Sequence, residues 1–314
     1  MDRHQGLRKH VTQIMTTLSA PAAPATTRAR SVSSWLHRHS TARLVGLLSL
    51  PALWVLVAYL GSLGARLAAA FWTTNDFTGA VEHTTTLDNF RALLSESVYR
   101  RVALRSLGVA ALVTVIDTVV ALPMAYYMAK VASPRVRRLL VVAVLTPLWA
   151  SYLVKAYAWR VMLAKGGVLE WLLTPVHGHG PGFGLAATIL TLAYLWLPFM
   201  ILPLFAGLER IPDSLLEASS DQGARSARTL RSVVLPLLFP ALVAGSIFTF
   251  SLSLGDYITV KIVGGATQLA SNVIYDNITT GGNLPFASAA AFFPILVMVG
   301  YLVAVRRTGA LDEL

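Results

Sequence analysis

Six apolar stretches run through this chain, and they limit the folds open to it more than any other feature. They cover residues 45–71, 104–129, 139–163, 185–205, 235–255 and 287–305. A helix needs about 20 consecutive apolar residues to cross a bilayer, and each stretch approaches or exceeds that length. Of the 314 residues, 55% are hydrophobic and only 13% are charged, which no soluble fold of this size requires. The sequence therefore predicts an all-α integral membrane protein with six transmembrane helices.

The two ends of the chain differ from this membrane domain of residues 45–307. Residues 1–44 are rich in Ser, Thr, Ala and Arg and cannot bury a core, so we expect a disordered basic tail. An acid-poor, Arg-rich start also suits an organellar transit peptide, but the charge distribution along the chain favours a cytoplasmic tail. Residues 308–314 form a short second tail.

The positive charges set the predicted orientation. Of the 26 Lys and Arg residues, 17 lie in residues 1–44, in the connections after the second and fourth stretches, and directly after the sixth stretch at Arg306 and Arg307. Six lie on the other side, in the remaining connections and, for Arg105, at the edge of the second stretch. Cytoplasmic loops carry the excess of such residues, so we expect both termini and the fourth connection in the cytoplasm. This distribution accounts for most of the net charge of +11 without nucleic acid.

The fourth connection, residues 207–236, has the pattern of two short helices. Residues 212–214 (Pro-Asp-Ser) open the first, Gly223 ends it, and a second helix rises to Leu235 and Pro236 at the membrane. Ser214 and Glu217 also have capping-box spacing, so the Glu217 carboxylate either bonds back to the Ser214 amide or contacts a partner. The apolar residues of the two helices could enter a partner's groove.

The spacing of this connection resembles the signature loop of ABC importer permeases. The residues that carry the resemblance are Glu217-Ala218-Ser219, Gly223-Ala224 and Leu235-Pro236. In that family the loop is a coupling helix that sits in a cleft of the ATPase subunit, so the resemblance implies the same for residues 213–235. It also implies a type I ABC importer permease fold in a bacterial inner membrane and no catalysis by this chain.

The same resemblance implies partners. They are a dimer of ATP-binding subunits, a second permease subunit of different sequence and an extracytoplasmic solute-binding protein, beside membrane lipid. The chain has no Walker A pattern, so ATP and Mg²⁺ belong to the partner ATPase and no cofactor is expected here.

Further motifs narrow the resemblance to the spermidine/putrescine permeases, in the branch that supplies the first of two paired permeases. They are residues 152–159 (Tyr-Leu-Val-Lys-Ala-Tyr-Ala-Trp), 196–203 (Trp-Leu-Pro-Phe-Met-Ile-Leu-Pro) and 254–259 (Leu-Gly-Asp-Tyr-Ile-Thr). Relatives in this branch carry other solutes, including iron, thiamine and phosphonates. Lys155 replaces the usual Arg, which argues against a fixed bidentate ion pair there.

Polar residues within the apolar stretches are candidates for the substrate path, because a charge at membrane depth tends to face a cavity or a partner. At the end of the fifth stretch, Asp256 either attracts a cationic substrate, with the ring of Tyr257 beside it, or caps the next turn. Asp117 is expected to pair with another span. The remaining candidates are Lys155, which with Arg160 is expected to extend towards the interface, and Tyr157 and Trp159, which suit a cavity or an aromatic belt.

Other classes of function find less support. A membrane enzyme needs a nucleophile, a base or metal ligands in one cluster, and no such motif occurs. An ion-driven secondary transporter predicts an inverted repeat, and the two halves of the chain do not match convincingly. His177 and His179 lack an acidic partner at a suitable spacing, so no metal site is expected.

Overall fold

The computed structural model describes residues 48–75, 77–176 and 180–307. Both predicted tails and the pair His177 and His179 lie outside these described residues. Helices dominate, and the sequence order of the elements is α1 (Leu48–Ala69), β1 (Thr73–Thr74), β2 (Val81–Glu82), α2 (Asp88–Ser95), α3 (Ser97–Val131), α4 (Pro134–Trp149), α5 (Tyr152–Leu163), α6 (Val168–Leu173), α7 (Leu185–Arg210), α8 (Asp213–Asp221), α9 (Ser226–Gly255), α10 (Ile258–Val263), α11 (Ala270–Thr279) and α12 (Leu284–Arg306).

Five of the six predicted spans are single long helices. Within the described residues α1, α3, α7, α9 and α12 are each long and apolar enough to cross a membrane. The third predicted span is a broken one, in which α4 and α5 meet at an angle of 96°. Pro147 removes a backbone donor near the end of α4, and Ala150 and Ser151 then adopt extended conformations, which interrupts the helix. Together the bent pair can still serve as a sixth span.

The fourth connection also differs from its prediction at its second helix. Residues 226–234 do not form a separate helix but are the first turns of α9, which continues to Gly255. Pro236 has no N–H for the carbonyl four residues earlier, and the backbone accommodates it with a π-helical turn at Leu230–Val234. The helix therefore passes through Leu235 and Pro236 without a break.

The core of residues 65–307 lies where α3, α7 and α9 pack together. Met200, Leu204 and Leu208 of α7 are fully buried against α3 and α9. Two glycines permit the close approach of α7 and α9, as small residues do in membrane bundles. A Cβ at Gly207 would lie 2.6 Å from the Ala241 Cβ, and a Cβ at Gly245 would lie 2.7 Å from the Met200 sulfur.

Short elements join the spans at the end of the bundle opposite α8. Between α1 and α3, β1 and β2 form an antiparallel pair with Thr73 opposite Glu82, followed by α2. Between α9 and α12, α10 packs on α5 and α11 packs on α12. Hydropathy alone gave no indication of these elements, since they are short and only partly apolar.

Candidate functional site

The helix α8 begins without the capping box that the sequence allowed. Its N-cap is Pro212, so Ser214 is already the second helical residue and makes no capping hydrogen bond. Glu217 is exposed, and none of the hydrogen bonds or ion pairs among the described residues uses its carboxylate. Of the two alternatives for Glu217, the bond to the Ser214 amide is therefore absent from the structure.

Gly223 ends α8, as predicted. Its φ of 79° lies in the left-handed region that glycine adopts without strain. The Ala224 amide donates to the Ser219 carbonyl at 3.1 Å and the Gly223 amide donates to the Ser220 carbonyl at 2.8 Å. These two bonds form a Schellman motif, which satisfies the last carbonyls of the helix and turns the chain towards α9.

The two sides of this turn are tied together, and their apolar residues are used inside the chain. The Ser219 and Thr229 hydroxyls share a hydrogen bond of 2.9 Å. Leu216 and Leu230 pack on the core at the ends of α3 and α7. The expectation that the apolar face is free for a partner is therefore wrong for Leu216 and Leu230. Leu215, with 43% of its surface exposed, can still contact a partner.

A buried lysine connects α3 to the start of α8. The Lys130 ammonium donates to the Ile211 carbonyl at 2.6 Å and to the Asp213 carboxylate at 2.7 Å. Its side chain is only 9% exposed, whereas that of Asp213 is 75% exposed. The hydrogen bond and charge of Lys130 hold the pKa of the Asp213 carboxyl below its ordinary value of 3.8.

Arg137 of α4 adds a second link at the same place. It donates to the carbonyls of Met128 at 3.0 Å and Ala129 at 2.7 Å, and pairs with Glu209 of α7 at 3.3 Å. We call Lys130 and Arg137, with the groups they bind, the basic clamp. It joins the ends of α3, α4 and α7 to α8, so these ends cannot move independently without breaking charged hydrogen bonds.

Asp256 follows α9 and is held by a compact polar network. It is 6% exposed, and its carboxylate accepts hydrogen bonds from the Tyr152 hydroxyl, the Thr259 amide at 2.8 Å and the Thr259 hydroxyl at 3.0 Å. The bond to the Thr259 amide realises the predicted cap of the next turn. Burial raises the pKa of the Asp256 carboxyl, while the hydrogen bonds from Tyr152 and Thr259 act in the opposite direction.

A cavity of about 280 Å³ opens beside this network. Asp256, Tyr152 and Trp196 line it, and the two rings are stacked with centroids 5.9 Å apart. The Trp196 indole nitrogen is buried and has no hydrogen-bond partner within the described part of the chain. Tyr257 also lines the cavity, although its ring stacks on Tyr275 at 4.4 Å.

The other predicted path residues lie elsewhere. Asp117 is fully buried, but neither carboxylate oxygen has a hydrogen-bond partner among the described residues, so the predicted pairing with another span was wrong. Its own turn of α3 is flanked by Val113 and Ala121, which pack into apolar clusters.

On α5, Tyr157 is 56% exposed and the Trp159 ring packs on Tyr194 at 5.3 Å, and neither residue lines the cavity beside Asp256. Lys155 is half-buried and takes part in none of the ion pairs of the described residues. Arg160 does not simply extend to the interface, since it donates to the Ile262 carbonyl at 2.6 Å.

Two groups of residues were missed by the sequence reasoning. Tyr152 and Trp196 stood in the motifs that carried the family resemblance, but only the fold brings them to Asp256. Lys130 and Arg137 entered the sequence analysis only as positive charges that set the membrane orientation. No neighbouring residue in the sequence indicates their partners on α7 and α8. No group of three or more His, Cys, Asp or Glu suited to a metal ion occurs in residues 48–75, 77–176 and 180–307.

Comparison with known proteins identifies similar chains. Residues 98–310 match the family described as "Binding-protein-dependent transport system inner membrane component". The chain is 41% identical to the inner membrane ABC transporter permease protein YdcU of Escherichia coli K12, over 96% of this chain and 99% of that protein. It is 32% identical to the spermidine/putrescine transport system permease protein PotB of the same organism, over 76% of this chain and 88% of that protein.

Solved structures of ABC transporters share the fold. A chain of a bacterial transporter that imports the acidic polysaccharide alginate aligns with a TM-score of 0.66 at 17% identity, over 88% of this chain and 99% of that one. A chain of the MetNI methionine transporter in inward-facing conformations aligns with a TM-score of 0.55 at 18% identity, over 71% of this chain and 97% of that one. At these identities the likeness concerns the fold alone.

Proposed function

Because this chain belongs to the family of binding-protein-dependent transport system inner membrane components and is a permease subunit of an ABC importer, we propose that its solute is a polyamine such as spermidine or putrescine. The similarity to PotB, at 32% identity over 76% of this chain, carries this proposal. The uncompensated carboxylate of Asp256 in a cavity with aromatic walls agrees with a cationic solute.

The chain itself carries out no chemistry in this proposal. A separate ATPase dimer binds ATP and Mg²⁺, and its closure reaches the spans through residues 213–235. A second permease completes the path, and an extracytoplasmic binding protein delivers the solute. Both termini lie in the cytoplasm, as the distribution of Lys and Arg indicates.

The geometry of α8 supports the coupling role. The helix projects Glu217 and Ala218 as exposed residues while Leu216 anchors it on the core. Since no residue of the described chain engages the Glu217 carboxylate, a group on the ATPase is free to do so. Gly223 with Ala224, and Leu235 with Pro236, then fix the shape of the surface rather than its contacts.

Reconstitution with the ATPase, the second permease and the binding protein tests the coupling. Glu217→Ala should lower both solute-stimulated ATP hydrolysis and uptake about tenfold or more, as for loss of one hot-spot contact at an interface. Glu96→Ala removes an equal charge from an exposed position at the start of α3 and should behave as wild type. Uptake that persists without any ATPase would refute the coupling and indicate an ion-driven carrier.

The solute is tested separately by titrating the purified binding protein with putrescine, spermidine, iron and a phosphonate. We expect saturable binding of a polyamine. Binding of iron or a phosphonate in its place would withdraw the polyamine assignment and leave the importer class intact.

A further inference from the structure

We propose that Asp256, Tyr152 and Trp196 form a recognition site for the ammonium group of the transported cation. The inference rests on the proposed import of polyamines and assigns the residues that hold the solute in this chain. We call these three residues and the space they line the ammonium site.

The first argument for the ammonium site is that the negative charge of Asp256 has no positive partner in the described part of the chain. The carboxylate is nearly buried, yet no Lys, Arg or His among the described residues forms an ion pair with it. Its three hydrogen bonds come from the neutral donors Tyr152 and Thr259. A buried carboxylate without a cation is costly, so a cation arriving in the adjoining cavity gains the attraction that the protein leaves unused.

The walls of the cavity favour an organic cation. The stacked rings of Tyr152 and Trp196 lie beside the carboxylate, and an aromatic ring attracts an ammonium group. A primary ammonium has three donors, so it can reach the carboxylate and still meet other acceptors while its methylene chain contacts the rings. The cavity of about 280 Å³ is large enough for such a chain end.

A metal ion suits this site less well. Hard cations such as Ca²⁺ take six or more oxygen ligands, whereas among the described residues Asp256 is the only acidic one that lines this cavity. An anion finds no cationic side chain among the lining residues. The chemistry of the site therefore selects a cation with an apolar body.

Further aromatic residues follow the site along α7 and α9, and the last of them, Phe248, is 51% exposed. Phe199 lies 5.9 Å from Trp196, and Phe248 lies 6.2 Å from Phe199, measured between ring centroids. Phe248 precedes Asp256 by two turns of α9, a distance of about 12 Å along the helix axis. An ammonium group released by Asp256 would thus find further ring faces on its way through the membrane.

Asp256→Asn is the direct test, because asparagine keeps the size of the side chain and an oxygen to cap Thr259 but removes the charge. In proteoliposomes with the full importer, the maximal rate of spermidine uptake should fall about tenfold or more, as expected for loss of a charge-assisted hydrogen bond. The concentration of loaded binding protein at half-maximal rate should stay within about twofold of wild type, since the proposed role of Asp256 is to hold the solute and not to bind the loaded binding protein.

Asp88→Asn is the matched control, since it removes one carboxylate from the exposed start of α2 and should transport as wild type. If wild-type vesicles take up no polyamine, the proposed solute is wrong. If they do, and Asp256→Asn matches Asp88→Asn, the ammonium site is refuted.

If the Asp256→Asn variant does not assemble into the importer, substitutions of Trp196 test the proposal instead. Trp196→Phe keeps a ring face at the cavity and should retain most of the uptake, whereas Trp196→Leu should lower it several-fold. Equal uptake by these two variants at equal amounts of assembled complex would overturn the proposal.

Discussion

Replacement of Lys130 by Met should loosen α8 without unfolding the bundle. Methionine keeps the apolar stem of this buried side chain but removes the ammonium that binds the Ile211 carbonyl at 2.6 Å and Asp213 at 2.7 Å. When the ammonium is lost, water solvates the exposed Asp213 carboxylate in its place. The free-energy cost therefore comes mainly from the buried Ile211 carbonyl, which loses this donor. A hydrogen bond to a charged group contributes about 1.5–3 kcal/mol.

Amide hydrogen exchange in the assembled complex measures this opening directly. If α8 is released when the bond is lost, its amides should exchange about 10- to 150-fold faster, with each factor of ten worth about 1.4 kcal/mol. Arg138→Met is the control, because Arg138 is exposed and its one hydrogen bond within the described part of the chain goes to the Pro134 carbonyl of its own helix. Unchanged protection of α8 in Lys130→Met would refute the idea that the basic clamp positions this helix.

Two further predictions concern stability. Gly207→Ala places a Cβ 2.6 Å from a side chain of α9, so we expect it to destabilise the bundle by about 1–3 kcal/mol in thermal unfolding. Gly300→Ala, where nothing lies within 4 Å of the added Cβ, should leave the midpoint unchanged or raise it slightly, because alanine favours a helix over glycine. Because Lys130 lowers the pKa of Asp213, the stability that Asp213 adds is present above its ordinary pKa of 3.8 and is lost as pH falls through the lowered value. The difference in thermal midpoint between wild type and Asp213→Asn should therefore persist as the pH is lowered to the ordinary pKa of Asp. A difference that disappears at a higher pH would contradict the ion pair between Lys130 and Asp213.

The sequence predicted the spans because hydropathy reports the length that a bilayer imposes. It did not give the size of the bend in the third span, where the composition is apolar throughout but the backbone turns by 96° between Trp149 and Tyr152. Hydropathy averages over a window and does not detect two extended residues. By contrast, Gly223 was predictable, since the end of a helix depends on a local backbone conformation that glycine adopts most readily.

The candidate sites show the same division between local and long-range causes. The cap formed by Asp256 is a contact over three residues and was anticipated from its position. Its approach to Tyr152 and Trp196 joins α5, α7 and the end of α9, which no local pattern specifies. The capping box at Glu217 is missing because α8 starts earlier than the sequence pattern suggested. The exact start of a helix depends on the preceding turn.

The hydrogen bond between Ser219 and Thr229 has a consequence for how fast a partner can bind. With the Schellman turn at Gly223, it sets the shape of the turn between α8 and α9 before any partner arrives. A surface that is already ordered loses little conformational entropy on association, so more of the contact energy remains as affinity. Ser219→Ala would leave the exposed residues Glu217 and Ala218 in place and still slow the binding of a partner, because the turn would have to be ordered during each encounter.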